Sequence, residues 1–419
     1  MRTRLENLAG IALVETEVAS AAFLAGPAMD QAACLSNAFL DMEGGKIVAL
    51  GPMASLKDGQ FPEQVRRIDG TGRWAFPAFV DSHTHMVFAK ERSEEFEMRM
   101  RGATYAEIAA AGGGILNSAA ALASRSEDEL LEDLLRRLTQ ARSTGTAVVE
   151  IKSGYGLSLE TELKMLRVIQ RAKSLTRMPL FATFLGAHAV PKRHQGQREA
   201  YFNEVLTEML PAVAAESLAD FVDIFCEENY FTPTELTQLA DAALALGLPL
   251  KAHVNQFTST GGLQASIASK ALSVDHLEVM SDTDLADLVQ AWSTGNGPMP
   301  VALPGCSLFL DIPYTPGRRI IDAGLPLAIA SDFNPGSAPS SNLLTAWSLA
   351  CHQMKLTPME GLVGLTLNGA SALQASDRFG SIAIGKEAHV CLTKPIERLA
   401  SIPYRFGEQL IERTFVSGQ

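Results

Sequence analysis

Between about residue 74 and residue 331 the chain repeats one pattern: a short apolar run rich in Val, Ile, Leu and Phe, a polar cluster, then a longer amphipathic or alanine-rich stretch. Short apolar runs suit strands buried on both faces, and the amphipathic stretches suit the helices that cover them, so the rhythm is that of a parallel sheet. The runs are Phe79-Val80 before Asp81-Ser82-His83, Val148-Val149-Glu150-Ile151 before Lys152, Phe181 to Leu185 before Gly186-Ala187-His188, and Phe221 to Phe225 before Cys226. Four more follow: Leu248 to Ala252 before His253, Ala271 to Val274 before Asp275-His276, Pro300 to Leu303 before Pro304, and Leu325 to Ala330 before Ser331-Asp332. Eight such units over about 250 residues predict an α/β chain with a (β/α)8 barrel of the TIM type. The runner-up, a doubly wound open sheet, lacks its Gly-x-Gly-x-x-Gly after the first run, since Gly112-Gly113-Gly114 comes much later. Ser126 to Arg142 and Leu159 to Lys173 carry Leu and Ile at helical spacing, and Ser126 with Glu129 has the form of a capping box.

The two ends read differently. Short strand-like runs, including Ile11 to Val14 and Lys46 to Pro52, alternate with Gly and Pro turns before residue 72, and Gly380 to Leu392 resumes that style as an expected antiparallel pair. Neither end holds enough apolar residues for a core of its own. The expected organisation is therefore residues 1–72 and 381–419 combining into one small β-sandwich domain, with residues 73–380 forming the barrel. Leu288 to Leu310 carries no charge, but Pro298, Pro300 and Pro304 break it, so it reads as loop plus a short strand rather than a membrane helix.

Composition narrows the function classes. In 419 residues with 47% hydrophobic content and a formal net charge of −12 there is no cluster of Lys and Arg to displace counterions from phosphate, which argues against nucleic acid as a partner. Glu6, Glu15 and Glu17 interrupt the N-terminal segment, leaving no signal-peptide apolar core, and a cytoplasmic location is expected. Cys34, Cys226, Cys306, Cys351 and Cys391 are odd in number, widely spaced and read as reduced small apolar residues.

Chemistry enters with His83-Thr84-His85. Residues i and i+2 at a strand end leave on the same side and can grip one ion, although a lone His-x-His equally decorates a polar loop. The chain has only eight histidines, and five of them, His83, His85, His188, His253 and His276, follow predicted strands. In a barrel these positions converge on one mouth, with Asp332 after the eighth strand. Singly, each is more simply a hydrogen-bonded histidine at a core edge, and His194, His352 and His389 keep that reading. Imidazoles plus a carboxylate suit Zn²⁺ or Fe²⁺ rather than Ca²⁺ or Mg²⁺. Such an ion with an open position lowers the pKa of a coordinated water from about 15.7 towards about 7.

At these residues the sequence resembles the amidohydrolase superfamily. The resemblance lies in Phe79-Val80-Asp81-Ser82-His83-Thr84-His85, His253, His276 and Ser331-Asp332, in that order. Narrower motifs are similar to the imidazolonepropionase family: Ser93 to Glu97 after Arg92, Gly102 to Tyr105 with Gly112 to Ile115, Glu150 to Leu157, Phe184 to His188, and Ser331 to Ser337. The resemblance runs from roughly residue 40 to 390. It implies one metal ion held by His83, His85, His253 and Asp332, with His276 and Asp332 taking the proton from the attacking water. It further implies His188 as the substrate-polarising histidine, and Arg92, Tyr105, Tyr155, Gln256, Asn334, Gly336 and Ser337 as substrate contacts. The implied reaction is hydrolysis of the ring C–N bond of 4-imidazolone-5-propanoate to N-formimidoyl-L-glutamate, in histidine degradation, by a homodimer acting on a small molecule.

Physical chemistry is consistent with these roles. The forked guanidinium of Arg92 matches a carboxylate tail, its plain alternative being a surface ion pair with Glu94 or Glu95. Tyr155 would otherwise only pack at a barrel rim, and Asn334-Pro335-Gly336-Ser337 would otherwise be a helix entry capped by Ser337. Gln256, three residues after His253, stands where deaminating relatives place Glu; an amide cannot relay a proton at neutral pH, which disfavours a deaminase. The fourth strand ends Phe225-Cys226-Glu227-Glu228 without the lysine that binuclear relatives carboxylate, which favours a single ion. An amidohydrolase acting on another cyclic amide or amidine is the alternative, and a non-catalytic barrel scaffold is a third.

Overall fold

A computed structural model describes residues 2–15, 21–56, 65–103, 107 and 113–419. In chain order the strands are β1 (Arg2–Ala12), β2 (Cys34–Glu43), β3 (Lys46–Pro52), β4 (Val65–Asp69), β5 (Trp74–Pro77), β6 (Phe79–Asp81), β7 (Thr146–Lys152), β8 (Leu180–Ala187), β9 (Phe221–Cys226), β10 (Lys251–Val254), β11 (Ser273–His276), β12 (Met299–Ala302), β13 (Ala328–Ile329), β14 (Val390–Thr393) and β15 (Ile411–Phe415). Among the described residues they form two sheets. One holds eight parallel strands in the order β6 to β13; the other runs β15-β14-β5-β1-β2-β3 with β4 also on β1.

The eight-stranded sheet is a barrel that closes through the residues just beyond its first and last strands. Asp332 N donates to His83 O at 3.0 Å, and His85 N donates to Phe333 O at 2.9 Å. Ser331 adds its backbone N–H and hydroxyl to the buried Asp81 carboxylate, at 2.9 and 2.6 Å. The segments that seal the barrel are thus the ones carrying His83, His85 and Asp332. Covering helices occupy Glu127–Ser143 and Leu159–Leu175, where Ser126 and Glu129 form the expected capping box, a device worth about 1 kcal/mol.

The second sheet gathers both ends of the chain around Leu5, Leu8, Leu40, Ile47, Val390 and Phe415. Its strand β5 is separated from barrel strand β6 by Ala78 alone, so the apolar run Trp74 to Val80 serves both sheets. Arg2 and Arg4 converge on the buried Asp41 at 2.7 Å each.

Three local readings change. Residues 381–389 are turn and irregular backbone; Gly385 has a φ of +93° and the buried Lys386 ammonium bonds Ser376 O at 2.7 Å, so Val390–Thr393 finds its antiparallel partner in Ile411–Phe415 instead. The uncharged stretch Leu288 to Leu310 holds the end of a helix (Asp282–Ser293), β12 and a second helix (Pro304–Leu310). Pro304 opens that helix, at a position where its missing N–H costs nothing. His253 and His276 lie inside the last two residues of β10 and β11, not after them. No helix among the described residues is long and apolar enough to cross a membrane.

Candidate metal centre and substrate pocket

His83, His85 and His253 meet at the barrel mouth. Each offers a nitrogen such that the three lie within 4.8 Å of one another, in an arrangement able to hold a metal ion. Asp332 Oδ1 stands 3.5 Å from His83 Nε2 and 3.6 Å from His85 Nε2. The chemistry of the donor set fits an ion: His83 Nε2 and His253 Nε2 are buried and have no hydrogen-bond partner. Leaving such nitrogens unpaired costs about 1–3 kcal/mol each, a cost a metal bond removes. Burial pushes the pKa values of all three rings below the usual histidine range, which keeps them in the neutral form that ligates.

The opposite ring nitrogens are fixed by carboxylates. His83 Nδ1–H donates to Asp275 at 2.6 Å, and His253 Nδ1–H donates to Asp223 at 3.0 Å. Both tautomers are thereby set so that Nε2 is the nitrogen left to ligate. Beneath them the Lys152 ammonium bonds Glu150 and Asp223 at 2.7 Å each and lies 3.8 Å from Asp275. All four of these groups are fully buried. None of Glu150, Lys152, Asp223 and Asp275 has a site role in the sequence pattern, although Glu150 and Lys152 fall in the Glu150 to Leu157 motif. Their available signal was a charge inside an apolar strand run, at a position facing the barrel axis.

His276 lies beside this cluster, its ring centroid 5.8 Å from His83 and 5.4 Å from His253. Nδ1 faces Glu278 Oε1 at 3.3 Å, leaving Nε2 as the nitrogen free to exchange a proton. Burial pushes the ring's pKa down, but Glu278, Asp332 and Asp275 together outweigh it and the value is raised. Asp332 is raised to about 6, chiefly by burial, with His276 opposing. His276 and Asp332 both adopt left-handed backbone, with φ of +88° and +54°, a strain that recurs at functional positions.

His188 Nδ1–H donates to Gly154 O at 2.9 Å, and its ring stacks 5.4 Å from His85. The ring's pKa falls to about 4, first through burial and then through His253. A neutral ring with Nδ1–H so engaged presents Nε2 as an acceptor; donation to an oxyanion requires the cation. Tyr155 packs 5.6 Å from His188 and 5.9 Å from His85, on a loop held by Glu162, which accepts from Gly154, Gly156 and Leu157 N–H groups at 2.7–3.0 Å.

Arg92 is paired with Glu95 at 2.6 Å, yet both side chains are about nine-tenths buried, so this is no surface pair. Arg137, itself buried, donates to Met86 O and Phe88 O and fixes the loop between His85 and Arg92. A Cβ on Gly336 would fall inside the Arg92 guanidinium, so glycine there sets where Arg92 rests. Asn334 spends its amide on its own turn: Nδ2 donates to Asp332 O at 2.7 Å and Ser337 Oγ at 2.8 Å, and Oδ1 accepts from Gly336 and Ser337 N–H groups. Ser337 caps no helix; Asn342 caps the next one, Leu343–His352, while Ser337 Oγ lies 3.5 Å from Asp332 Oδ2. Gln256 is buried against Cys306 Sγ at 3.4 Å. Tyr105 lies outside the described residues.

Residues 74–419 match the amidohydrolase family. The chain is 46% identical to the imidazolonepropionase of Christiangramia forsetii, covering 94% of each chain, and 46% identical to that of Flavobacterium johnsoniae, covering 97% of each. It is 43% identical to that of Ralstonia nicotianae over 87% of each. Among solved structures, a triazine hydrolase variant superposes with a TM-score of 0.76 at 18% identity, covering all of this chain and 94% of that one. A zinc-bound adenosine deaminase from Xanthomonas campestris superposes at 0.70 and 15% identity, covering all of this chain and 92% of that one. The last two carry the fold alone. With nearly half of its residues shared along nearly the whole length, the chain belongs to the imidazolonepropionase family of the amidohydrolases.

Proposed function

We propose that this chain hydrolyses the ring C–N amide bond of 4-imidazolone-5-propanoate to N-formimidoyl-L-glutamate in histidine degradation. The observation that carries the reading is the pair of orphaned Nε2 atoms on His83 and His253, which point at one spot beside His85, Asp332 and His276 in a chain so similar to imidazolonepropionases. One divalent ion, zinc or iron, held by His83, His85, His253 and Asp332, would supply a Lewis acid for the ring carbonyl and an acidified water. His276 Nε2 is placed to take the proton from the attacking water, and Asp332 assists as the neighbouring carboxylate. As the new C–O bond forms and the ring C–N bond breaks, His276 returns the proton to the departing nitrogen.

Neutral His188 offers Nε2 to a ring N–H and orients the ring against the carboxylate tail held by Arg92. Tyr155 and Gln256 border the ring, and Asn334 acts by shaping the turn that presents Gly336 and Ser337. Gln256 does not relay protons, which favours ring opening over expulsion of ammonia. The same reading has a cytoplasmic homodimer acting on a freely diffusing acid.

Ultraviolet absorbance follows the imidazolone directly. The metal-loaded chain is expected to consume it while leaving cytosine and guanine untouched, to lose activity after chelation, and to regain it with zinc or iron(II). A fully loaded chain without imidazolone turnover would overturn the proposal. Arg92→Ala is expected to raise KM by about 10- to 100-fold with kcat little changed, the worth of a hydrogen bond to a charged group. Gly336→Ala, which displaces the same guanidinium, should move KM in the same direction in the same steady-state assay.

A further inference from the structure

A second group of donors lies next to the first. One ring nitrogen of His276, a Glu278 carboxylate oxygen and Cys306 Sγ all lie within 4.8 Å of one another, all three residues are buried, and Nδ1 is the nitrogen that faces Glu278. Left-handed backbone at His276 and at Leu277 (φ +88° and +62°) folds the chain so that the ring nitrogen and the carboxylate face each other at 3.3 Å. That separation is long for a charge-assisted hydrogen bond, typically about 2.7–2.9 Å. It matches the edge of a tetrahedron whose bonds are about 2.0–2.1 Å. Independently, Glu278 Oε2 is buried with no hydrogen-bond partner, and Ser307 Oγ lies 3.3 Å from Oε1, steadying the carboxylate.

We infer that His276, Glu278 and Cys306 form a second cation site, selective for thiophilic divalent ions such as zinc in excess or cadmium, and that its occupation inhibits the enzyme. One nitrogen, one oxygen and one sulfur donor suit such ions, whereas Mg²⁺ and Ca²⁺ take oxygen shells. Binding releases one proton, from the thiol, and sends the imidazole proton from Nδ1 to Nε2. His276 then has no lone pair with which to accept a proton from water. The inhibitory consequence rests on the role of His276 proposed above; the binding itself does not.

Titrating the zinc-loaded enzyme with cadmium separates the two. The proposed ligands of the first site include no sulfur, and Cys34 is an exposed free thiol, so the part of the ultraviolet thiolate-to-cadmium charge-transfer band that Cys306→Ser removes is what reports Cys306. Wild type is expected to gain that band, saturating at one further ion per chain, with turnover lost over the same concentrations. Cys306→Ser should lose that part of the band and, measured against its own cadmium-free rate, need at least about tenfold more cadmium for half-inhibition; Glu278→Gln should weaken the band's midpoint by a similar factor. A band of equal size in Cys306→Ser, or no band in wild type, overturns the site. A band without inhibition leaves the site standing and overturns the role given to His276.

Discussion

Replacing His276 with alanine is expected to lower kcat by about two to four orders of magnitude, the usual contribution of a positioned acid–base group, while the purified protein keeps one metal ion per chain. The reason is geometric. His276 stands apart from the orphaned nitrogens of His83 and His253, and its own Nδ1 faces Glu278 rather than the ligand cluster. Truncating it removes the proton carrier and leaves His83, His85, His253 and Asp332 in place. Elemental analysis beside single-turnover kinetics checks both halves: an emptied metal site would make His276 a ligand, and an unchanged kcat would return the proton to Asp332 alone.

Lys152→Met is expected to destabilise the fold by about 3–5 kcal/mol and to speed release of the metal to a chelator. Lys152 sits fully buried among Glu150, Asp223 and Asp275, and removing one partner of a buried ionic cluster strands the others. Asp223 and Asp275 are also the acceptors for His253 and His83, so their rearrangement turns two ligand rings. Denaturant titration gives the first effect and chelator kinetics the second. Lys152→Arg tests the charge apart from the shape. If Lys152→Met kept both stability and metal retention, the three acids would have to be neutral already.

The barrel was legible because each of its strands announces itself as an apolar run closed by polar residues, and the mouth because five of those closures are histidines. The acids under the mouth were not, since Asp223 lies within Phe221 to Phe225 and looks like an interruption of a strand. Only the closed barrel makes it the neighbour of Lys152 and His253, residues far away in sequence. The turn Asn334 to Ser337 was read as chemistry and proves to be largely self-bonded, because a short side chain that can reach its own backbone does so first. Residues 381–389 misled for the opposite reason: alternation there came from a glycine turn and a buried lysine, neither of which periodicity distinguishes from a strand.

The run from Trp74 to Asp81 ties the two sheets together with one intervening residue. A strand alternates its faces strictly, so a slip of one residue inverts every side chain. In β5, pairing with β1 and β14 fixes the register; beyond Ala78 the chain pairs with β7, irregularly between Phe79 and Val80, on its way to His83 and His85. Were it to slip by one, Ser82 and Thr84 would face the ion and the imidazoles would point away. The terminal sheet therefore braces the chain just ahead of the barrel strand that leads to the candidate ligands, and changes in its β5 pairing should read out as altered metal affinity far from any ligand.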